Sequence, residues 1–422
     1  MNEKDSHVTV EQVRDSGLCT GCGTCAGVCP NSAIKMHRTD SVYVPIVSKE
    51  CDRCGTCYRV CPGHSIDFEK LNSYVFGKAQ SESLIGNYVN CYIGHSTDSN
   101  VRCNSSSGGL VTELLTFALE EEYIDGALIT KMSDSSPLEP EGFIARTKKE
   151  VISASKSKYC PVPVNLAIKS IIKEEGRFAA VGLPCHIEGL RKAELVNKQL
   201  AHKLVLHLGL FCNHAPTFLA TAYLLRKMNL QPKDVQKISY RGKGWPGQLS
   251  VTLKNGEEKS VRHFDPYYWG HVFNRYFFTS RCLLCNDKVC ELGDISFGDA
   301  WHQSNSRSGE SIVVSRNELG QELLQKAVKK SKIELKRISS ENVIKSQALF
   351  TIKRQHKARM QVFRKLHESV PTYNQRVLES KPSDYAAALG CYLRLSLSSN
   401  PQLWQLLDIY PFLKTRVKAR GN

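Results

Sequence analysis

The sequence predicts a chain of α+β and α/β character in three parts: a small cysteine-rich module, an α/β body and a mainly helical basic tail. Three observations carry this. Two cysteine runs stand 32 residues apart near the N-terminus. Short apolar stretches of strand length alternate with helix-length stretches through the middle. The last 87 residues hold 16 Lys or Arg against 5 Asp or Glu.

Length and composition bound the rest. The 422 residues suffice for two or three domains, and 41% hydrophobic with 23% charged residues is an ordinary globular balance. Seventeen cysteines, about 4%, fall below the roughly 8–10% of a small disulfide scaffold. The stretch Met1–Ser16 is polar and mixed in charge, without the apolar core of a signal peptide. No apolar run reaches the roughly 18 residues of a membrane span, and Leu204–Cys212 is short and contains a His. These features predict a cytoplasmic, reducing location. The cysteines there are metal ligands, redox groups or buried fillers rather than disulfides.

Residues 1–80 form the first module. Its runs are CTGCGTCAGVCP, with Cys19, Cys22, Cys25 and Cys29, and CDRCGTCYRVCP, with Cys51, Cys54, Cys57 and Cys61. Both have the spacing C-x2-C-x2-C-x3-C-P, the bacterial ferredoxin pattern in which the fourth Cys of each run serves the other cluster. Two 4Fe–4S clusters are therefore predicted, one on Cys19, Cys22, Cys25 and Cys61, the other on Cys51, Cys54, Cys57 and Cys29. Gly23 and Gly55 relax the backbone inside the two loops. Zinc is the competing ligand, but it favours paired C-x2-C knuckles that close four ligands around one ion.

The polar stretch Gly77–Asn87 reads as a linker, and the body follows, divided at about 88–165 and 166–335. Ala127–Lys131, Phe178–Gly182 and Lys203–Phe211 read as strands. Pro216–Met228, with Pro in its first turn, and Asn317–Lys330 read as helices. Gln248–Lys254 turns at Asn255–Gly256 into a β-hairpin. The basic tail, 336–422, reads either as a solvated helical appendage or as a dock for an acidic partner or anionic membrane surface. Nucleic acid is the least favoured partner, because no module with groove-reading logic accompanies the charge.

A second set of motifs lies in the body. Ser105, Ser106 and Ser107 offer capping oxygens before Gly108, Gly109 and an apolar helical face, a helix start that suits a phosphate or is simply capped. KSKY follows at Lys156–Tyr159. Pro184–Cys185 opens a helix after a strand, Cys212 closes another strand, and Cys282 and Cys285 form a C-x2-C pair. Cys91, Cys103, Cys160 and Cys391 read as inert thiols. Tyr240–Gly247 (YRGKGWPG) and Asp294–Trp301 (DISFGDAW) supply Arg241, Lys243, Trp245, Asp299 and Trp301 as substrate or ring contacts, with rigid turns and braced loops as the structural reading. His186, His207 and His214 are proton carriers or ordinary core residues.

This order of SSSGG, SKY, VGLPC, LFC, YRGKGWPG, C-x2-C and DISFGDAW resembles the coenzyme F-420 hydrogenase/dehydrogenase beta-subunit family over roughly residues 15–335. The resemblance implies an iron–sulfur flavoprotein, with FAD in the α/β body and a third 4Fe–4S cluster near it. Carried over by position, Ser106, Ser107, Gly108, Gly109 and Lys158 form the flavin-binding group. Cys185, Cys212, Cys282 and Cys285 hold the third cluster, with Cys290 as substitute. The implied partners are a deazaflavin or other small-molecule substrate and a redox protein, either ferredoxin or a catalytic subunit. The leading expectation is an FAD-dependent iron–sulfur oxidoreductase working in either direction. Its rivals are a ferredoxin-dependent reductase of an organic substrate, a pure electron-transfer subunit and a nucleic-acid-binding redox sensor.

Overall fold

The computed structural model describes residues 8–82, 84–301, 306, 308–375 and 377–409. In the first module, β1 (Ile34–Arg38) pairs antiparallel with β2 (Tyr43–Val47), and β3 (Ser65–Ile66) follows the second cysteine run. Each run folds the same way. Gly23 and Gly55 are left-handed N-caps, φ +85° and +71°, of the one-turn helices Thr24–Gly27 and Thr56–Arg59. Two residues earlier, Gly21 and Arg53 are left-handed as well, φ +69° and +56°. The sequence repeat is thus a backbone repeat.

The body is built on a mixed eight-stranded sheet. Along the chain come β4 (Asn90–Ser96), β5 (Gly126–Met132), β6 (Pro140–Ala145), β7 (Phe178–Gly182) and β8 (Leu204–Leu210). A separate three-stranded sheet follows, made of β9 (Val235–Ser239), β10 (Gln248–Leu253) and β11 (Glu258–Arg262). Then β12 (Ile295–Asp299), β13 (Ser311–Ser315) and β14 (Ile333–Ile338) return to the large sheet, whose order is β14-β4-β13-β12-β8-β7-β5-β6. Its centre, β5-β7-β8-β12, is parallel, and both wings are antiparallel. Buried on both faces, the central strands read as continuous apolar runs such as FAAVG, which is why they were visible in the sequence. The β10–β11 hairpin also forms.

Three expectations change. The helix expected over Pro216–Met228 is Phe218–Lys227, with Thr217 at the N-cap position but without a side-chain capping bond, and Pro216 instead bridges to Phe278. The helix after SSSGG is Leu110–Glu120, and its N-cap is Gly109 at φ +79°, not a serine. Ser105 instead gives its hydroxyl proton to the Val101 carbonyl and closes the preceding short helix, Ser99–Asn104. Finally, the polar stretch Gly77–Asn87 is not a free linker. The fully buried Arg316 guanidinium donates to the carbonyls of Ile85 (2.7 Å) and Asn87 (3.0 Å), and the Asn87 amide donates to Asn72 (2.9 Å). Polarity there serves buried hydrogen bonds rather than solvent.

The tail is helical, with long helices at Leu349–Lys365 and Pro382–Ser399, but among the described residues it is no solvated appendage. Met360 and Phe363 pack on Leu283 and Leu284. Lys353 forms a buried ion pair with Glu291. The two-residue β15 (Thr372–Tyr373) pairs in parallel with β3 of the first module. The tail is a strap that crosses from the body to the cysteine-rich module.

Candidate functional site

In the first module the two runs lie close together. Cys25 lies within electrostatic reach of Cys22, Cys61 and Cys19, and also of Cys57, so the last Cys of the second run stands beside the first run. Cys57 is within the same reach of Cys51 and Cys54, and those three with Cys29 line one cleft. Backbone amides point at the sulfurs: Gly21 at Cys19 (3.4 Å), Arg53 at Cys51 (3.4 Å) and Gly63 at Cys61 (3.3 Å). Thr24 and Thr56 hydroxyls sit at equivalent places beside Cys22 (3.2 Å) and Cys54 (3.4 Å). Amide donors on cysteine sulfurs are a lever for cluster potential. Among the described residues no three His, Cys, Asp or Glu side chains group around a single metal ion. Zinc would need sulfurs roughly 3.8 Å apart, twice the Zn–S bond opened to a tetrahedral angle.

Burial pushes the Cys61 thiol up to about 11 and that of Cys19 to about 12, with neighbouring thiols adding to the shift. Such groups become thiolates when a cation compensates the charge, which suits a cluster.

A third set of thiols converges in the body. Cys185 lies at the start of the helix Pro184–Glu194, Cys212 just past β8, and Cys282 and Cys285 around the short helix Ser280–Leu283. Cys185 feels Cys212 and Cys285, and Cys212 feels Cys282 and Cys285. Burial is the main cause that raises Cys285 to about 12 and Cys185 and Cys212 well above the ordinary thiol. Cys185 also feels Cys22 of the first module, so two of the three thiol sets adjoin. Cys290 points elsewhere, packing on Gly209 of β8 beneath the sheet.

The junction of module and body is tightly fastened. The Lys192 ammonium donates to the carbonyls of Cys61 (2.6 Å) and Ser65 (2.8 Å). Arg281, beside Cys282, donates to those of Gly63 (2.7 Å) and Pro62 (2.9 Å). Asn165 bonds the Cys22 carbonyl through its backbone amide (3.0 Å) and the Thr24 hydroxyl through its side chain (2.8 Å).

The nominated flavin group forms one surface. The Ser157 amide donates to the Ser106 hydroxyl (2.8 Å), joining SSSGG to KSKY. The Ser107 hydroxyl donates to the Glu310 carbonyl (2.7 Å), and the Gly108 amide donates to the Ser311 hydroxyl (3.0 Å). Gly108 packs so closely that a Cβ would meet the Gly94 carbonyl oxygen at 2.5 Å. Among the described residues no side chain caps the helix that starts at Leu110, so its first amides present their positive end to an anion. Lys158 is differently placed from a phosphate clamp: its ammonium donates to the carbonyls of Ala154, Ser155 (2.9 Å) and Lys156 (2.9 Å). Burial lowers it to about 7. Lys158 holds the loop, and the neighbouring half-buried Lys156, crowded by Lys237 and Lys243, is the cation nearer the surface.

Beside this surface lies a cluster of packed aromatic rings. Trp245 and Trp301 have ring centroids 5.0 Å apart, His263 stacks on Trp301 at 5.9 Å, and Trp269 stacks on Tyr159 at 4.2 Å. Arg241 pairs with Asp299 at 2.7 Å. Asp294 is structural, accepting from the His207 amide (2.6 Å), Arg191 (2.9 Å) and Asn317 (2.7 Å). His207, fully buried between Asp294 and Glu194, belongs to the same brace. His186 is a core residue on the helix that carries Cys185. His214 stacks between Phe278 (4.3 Å) and Trp269 (6.3 Å), bridging from Cys212 toward these rings.

A doubled cluster-binding loop docked on a mixed α/β sheet defines an iron–sulfur oxidoreductase subunit. Residues 11–62 match the 4Fe-4S dicluster domain, which supports two clusters there. Residues 91–169 match the family model for the coenzyme F420 hydrogenase/dehydrogenase beta-subunit N-terminal part, and 175–341 that for its C-terminal part. The chain belongs to the coenzyme F420 hydrogenase/dehydrogenase beta-subunit family. It is 28% identical over 267 residues to the coenzyme F420 hydrogenase subunit beta of Methanothermobacter thermautotrophicus, covering 60% of this chain and 86% of that one. It is 26% identical over 341 residues to the coenzyme F420-dependent sulfite reductase of Methanocaldococcus jannaschii, covering 78% of this chain but 48% of that longer protein. In fold it resembles a chain from the structure of the F420-reducing NiFe hydrogenase complex from Methanosarcina barkeri, with TM-score 0.55, 24% identity, and 69% and 98% of the two chains covered. No described helix is long and apolar enough to cross a membrane.

Proposed function

We propose that this chain is an FAD-dependent iron–sulfur oxidoreductase that exchanges two electrons with a deazaflavin-type substrate and single electrons with a redox protein. The observation that carries this is the contiguity of the thiols. The set Cys29, Cys51, Cys54 and Cys57 lies outermost, the set with Cys22 and Cys61 lies behind it, and Cys185 adjoins Cys22. His214 and Trp269 then lead to the aromatic cluster.

When bound, FAD supplies the conversion between a hydride pair and single electrons, and the clusters carry the latter. The protein's share is placement. Cys185, Cys212, Cys282 and Cys285 would hold a third cluster, and the stacked rings exclude water from its inner side. Ser106, Ser107, Gly108 and Gly109 shape the helix start that would take the pyrophosphate, Lys158 fixes that loop, and Lys156 adds charge. Names carried by the relatives favour coenzyme F420 as the two-electron partner. We read 1–80 as the electron-exchange domain, 88–165 and 166–335 as the flavin body, and 336–422 as the strap. One face suits an acidic protein partner, the outer edge of the module with Lys35, Lys49, Arg53 and Arg59. The outer tail, where Leu389, Leu393 and Leu406 are exposed, suits an apolar contact instead.

Anaerobic purification with iron and flavin counting tests this: about twelve irons, three 4Fe–4S clusters, and one FAD per chain are expected. Iron-replete, folded protein without flavin refutes the central role of FAD. A ferredoxin-driven reductase is the second reading, favoured by the exposure of Cys54. Anaerobic mixing with reduced coenzyme F420 separates the two, because only the first reading predicts rapid bleaching of the clusters.

A further inference from the structure

The aromatic cluster beside the flavin surface holds a concentration of buried polar atoms without partners among the described residues. They are one terminal nitrogen of Arg241 (Nη2), the indole nitrogen of Trp245 and both ring nitrogens of His263. Arg241 is 2% exposed and His263 1%. A buried donor left unmet is costly, and this one part of the structure carries several. Each residue is held in place by its other contacts. Arg241 uses Nη1 on Asp299 (2.7 Å) and Nε on the Pro246 carbonyl (3.2 Å), which leaves Nη2 uncommitted. The His263 backbone amide is pinned to the Gly247 carbonyl at 3.1 Å, and its ring is stacked on Trp301. Gly309 packs between Ser107 and Trp245: a Cβ there would meet the Ser107 carbonyl oxygen at 2.9 Å and the Trp245 Cβ at 3.2 Å. The orphaned donors therefore adjoin the loop that the flavin reading uses.

The chemistry of the set is specific. Arg241 and Trp245 can only donate. Burial and the Arg241 charge lower His263 to about 3, so its ring is neutral and offers one donor and one lone pair. Donor, acceptor and donor on flat aromatic walls complement an acceptor–donor–acceptor edge on a flat ring. We infer that Arg241, His263 and Trp245 bind the pyrimidinedione edge of a flavin-type ring, with His263 accepting from its N3–H. This rests on the flavin reading and goes beyond it by naming the recognised edge and the residues. FAD and a deazaflavin substrate share that edge, so one chemistry has two sources.

The test uses the iron-replete, anaerobically purified protein and 3-methyl analogues, in which the N3–H is blocked. FAD and 3-methyl-FAD are titrated into flavin-stripped protein; coenzyme F420 and its 3-methyl analogue are titrated into FAD-loaded protein, all by fluorescence. The expected result is a loss of affinity of at least about tenfold for the methylated member of one pair. Loss in the FAD pair places the prosthetic ring there, and loss in the F420 pair places the substrate ring. In Trp245→Phe, which keeps the aromatic wall, the parent ligand weakens several-fold. In His263→Phe, the penalty for methylation disappears, whereas His263→Gln keeps part of it. Equal binding of parent and methylated ligand in both pairs overturns the edge assignment while leaving the flavin reading intact. No binding of any of the four overturns both.

Discussion

The two halves of the first module have one local design and opposite surroundings. Both use a left-handed residue two places after the first Cys, a left-handed glycine cap, and a threonine beside the second Cys. Yet in the set Cys19, Cys22, Cys25 and Cys61 all but the half-buried Cys19 are buried, whereas in the set Cys51, Cys54, Cys57 and Cys29 only Cys57 is buried and Cys54 is exposed. The inner half is clamped by Asn165, Lys192 and Arg281 of the body; the outer half meets solvent with Arg53 and Arg59. Equal ligation sets with unequal burial give two clusters of the same type different exposure, one of the levers on reduction potential. The difference also gives the module a direction, one end toward Cys185 and one toward a visitor.

The largest test breaks that direction. Cys22→Ser removes a ligand at the junction and is expected to lower electron exchange between substrate and an external one-electron carrier by at least about 100-fold, on the order of 3 kcal/mol in barrier. Cys54→Ser should cut exchange with the carrier equally, yet leave reduction of the inner clusters by reduced F420 in place, followed by EPR. If Cys54→Ser abolished inner-cluster reduction too, the order of the sets would be wrong.

A packing test comes next. Gly189 lies against Thr24, where a Cβ would meet the hydroxyl oxygen at 2.3 Å. Gly189→Ala should destabilise the junction by roughly 1–3 kcal/mol, as overpacking does. It should also lower the thermal midpoint and the retention of the inner cluster, leaving the outer cluster's iron bound. Gly17→Ala, where nothing lies within 4 Å, controls for backbone strain alone at φ +71°.

Lys192 and Arg59 sharpen the contrast on a finer scale, since each donates to a carbonyl near a ligand Cys. Lys192 is nearly buried and reaches the Cys61 carbonyl; Arg59 is exposed and reaches that of Cys54 at 3.4 Å. Lys192→Met leaves two carbonyls unmet and should cost about 2 kcal/mol, whereas Arg59→Ala should cost under about 0.5 kcal/mol. The pH dependence has a definite sign. Burial lowers Lys192 to about 8 from 10.5 in the unfolded chain. Between those values the unfolded state binds the extra proton, so this group makes stability rise with pH from about 8 to about 10.5. Chemical denaturation across that range should show the slope in the wild type and its loss in Lys192→Met.

Much of the design was legible in the sequence because it is written in local spacing. The C-x2-C-x2-C-x3-C-P runs announce the dicluster domain, and FAAVG and KLVLHLGLF are strands because they are apolar on both faces. The four body cysteines converge, yet only the order of motifs suggested it, since strand ends meet through topology. His263 was invisible: a lone histidine in VRHFD carries no pattern, and only folding shows that its ring nitrogens find no partner among the described residues. The linker and the tail misled for one reason. Polar and charged residues read as solvated, but Arg316 and Lys353 are buried with partners 229 and 62 residues away, and Asn87 is buried against Asn72, 15 residues away.

The smallest effect belongs to the outer face alone. Lys35, Lys49, Arg53 and Arg59 are exposed there, with Glu50 and Asp52 among them. Exposed charges act on encounter rather than on stability, because solvent and salt screen them beyond about 10 Å. Arg53→Glu should therefore slow association with an acidic one-electron carrier several-fold at low salt and converge with the wild type near 0.5 M salt, with stability unchanged. The same reversal at Lys365, an exposed lysine on the strap, is the control. If the strap variant slowed the carrier and the Arg53 variant did not, the visitor would dock on the tail, and the exposure of Cys54 would have another cause.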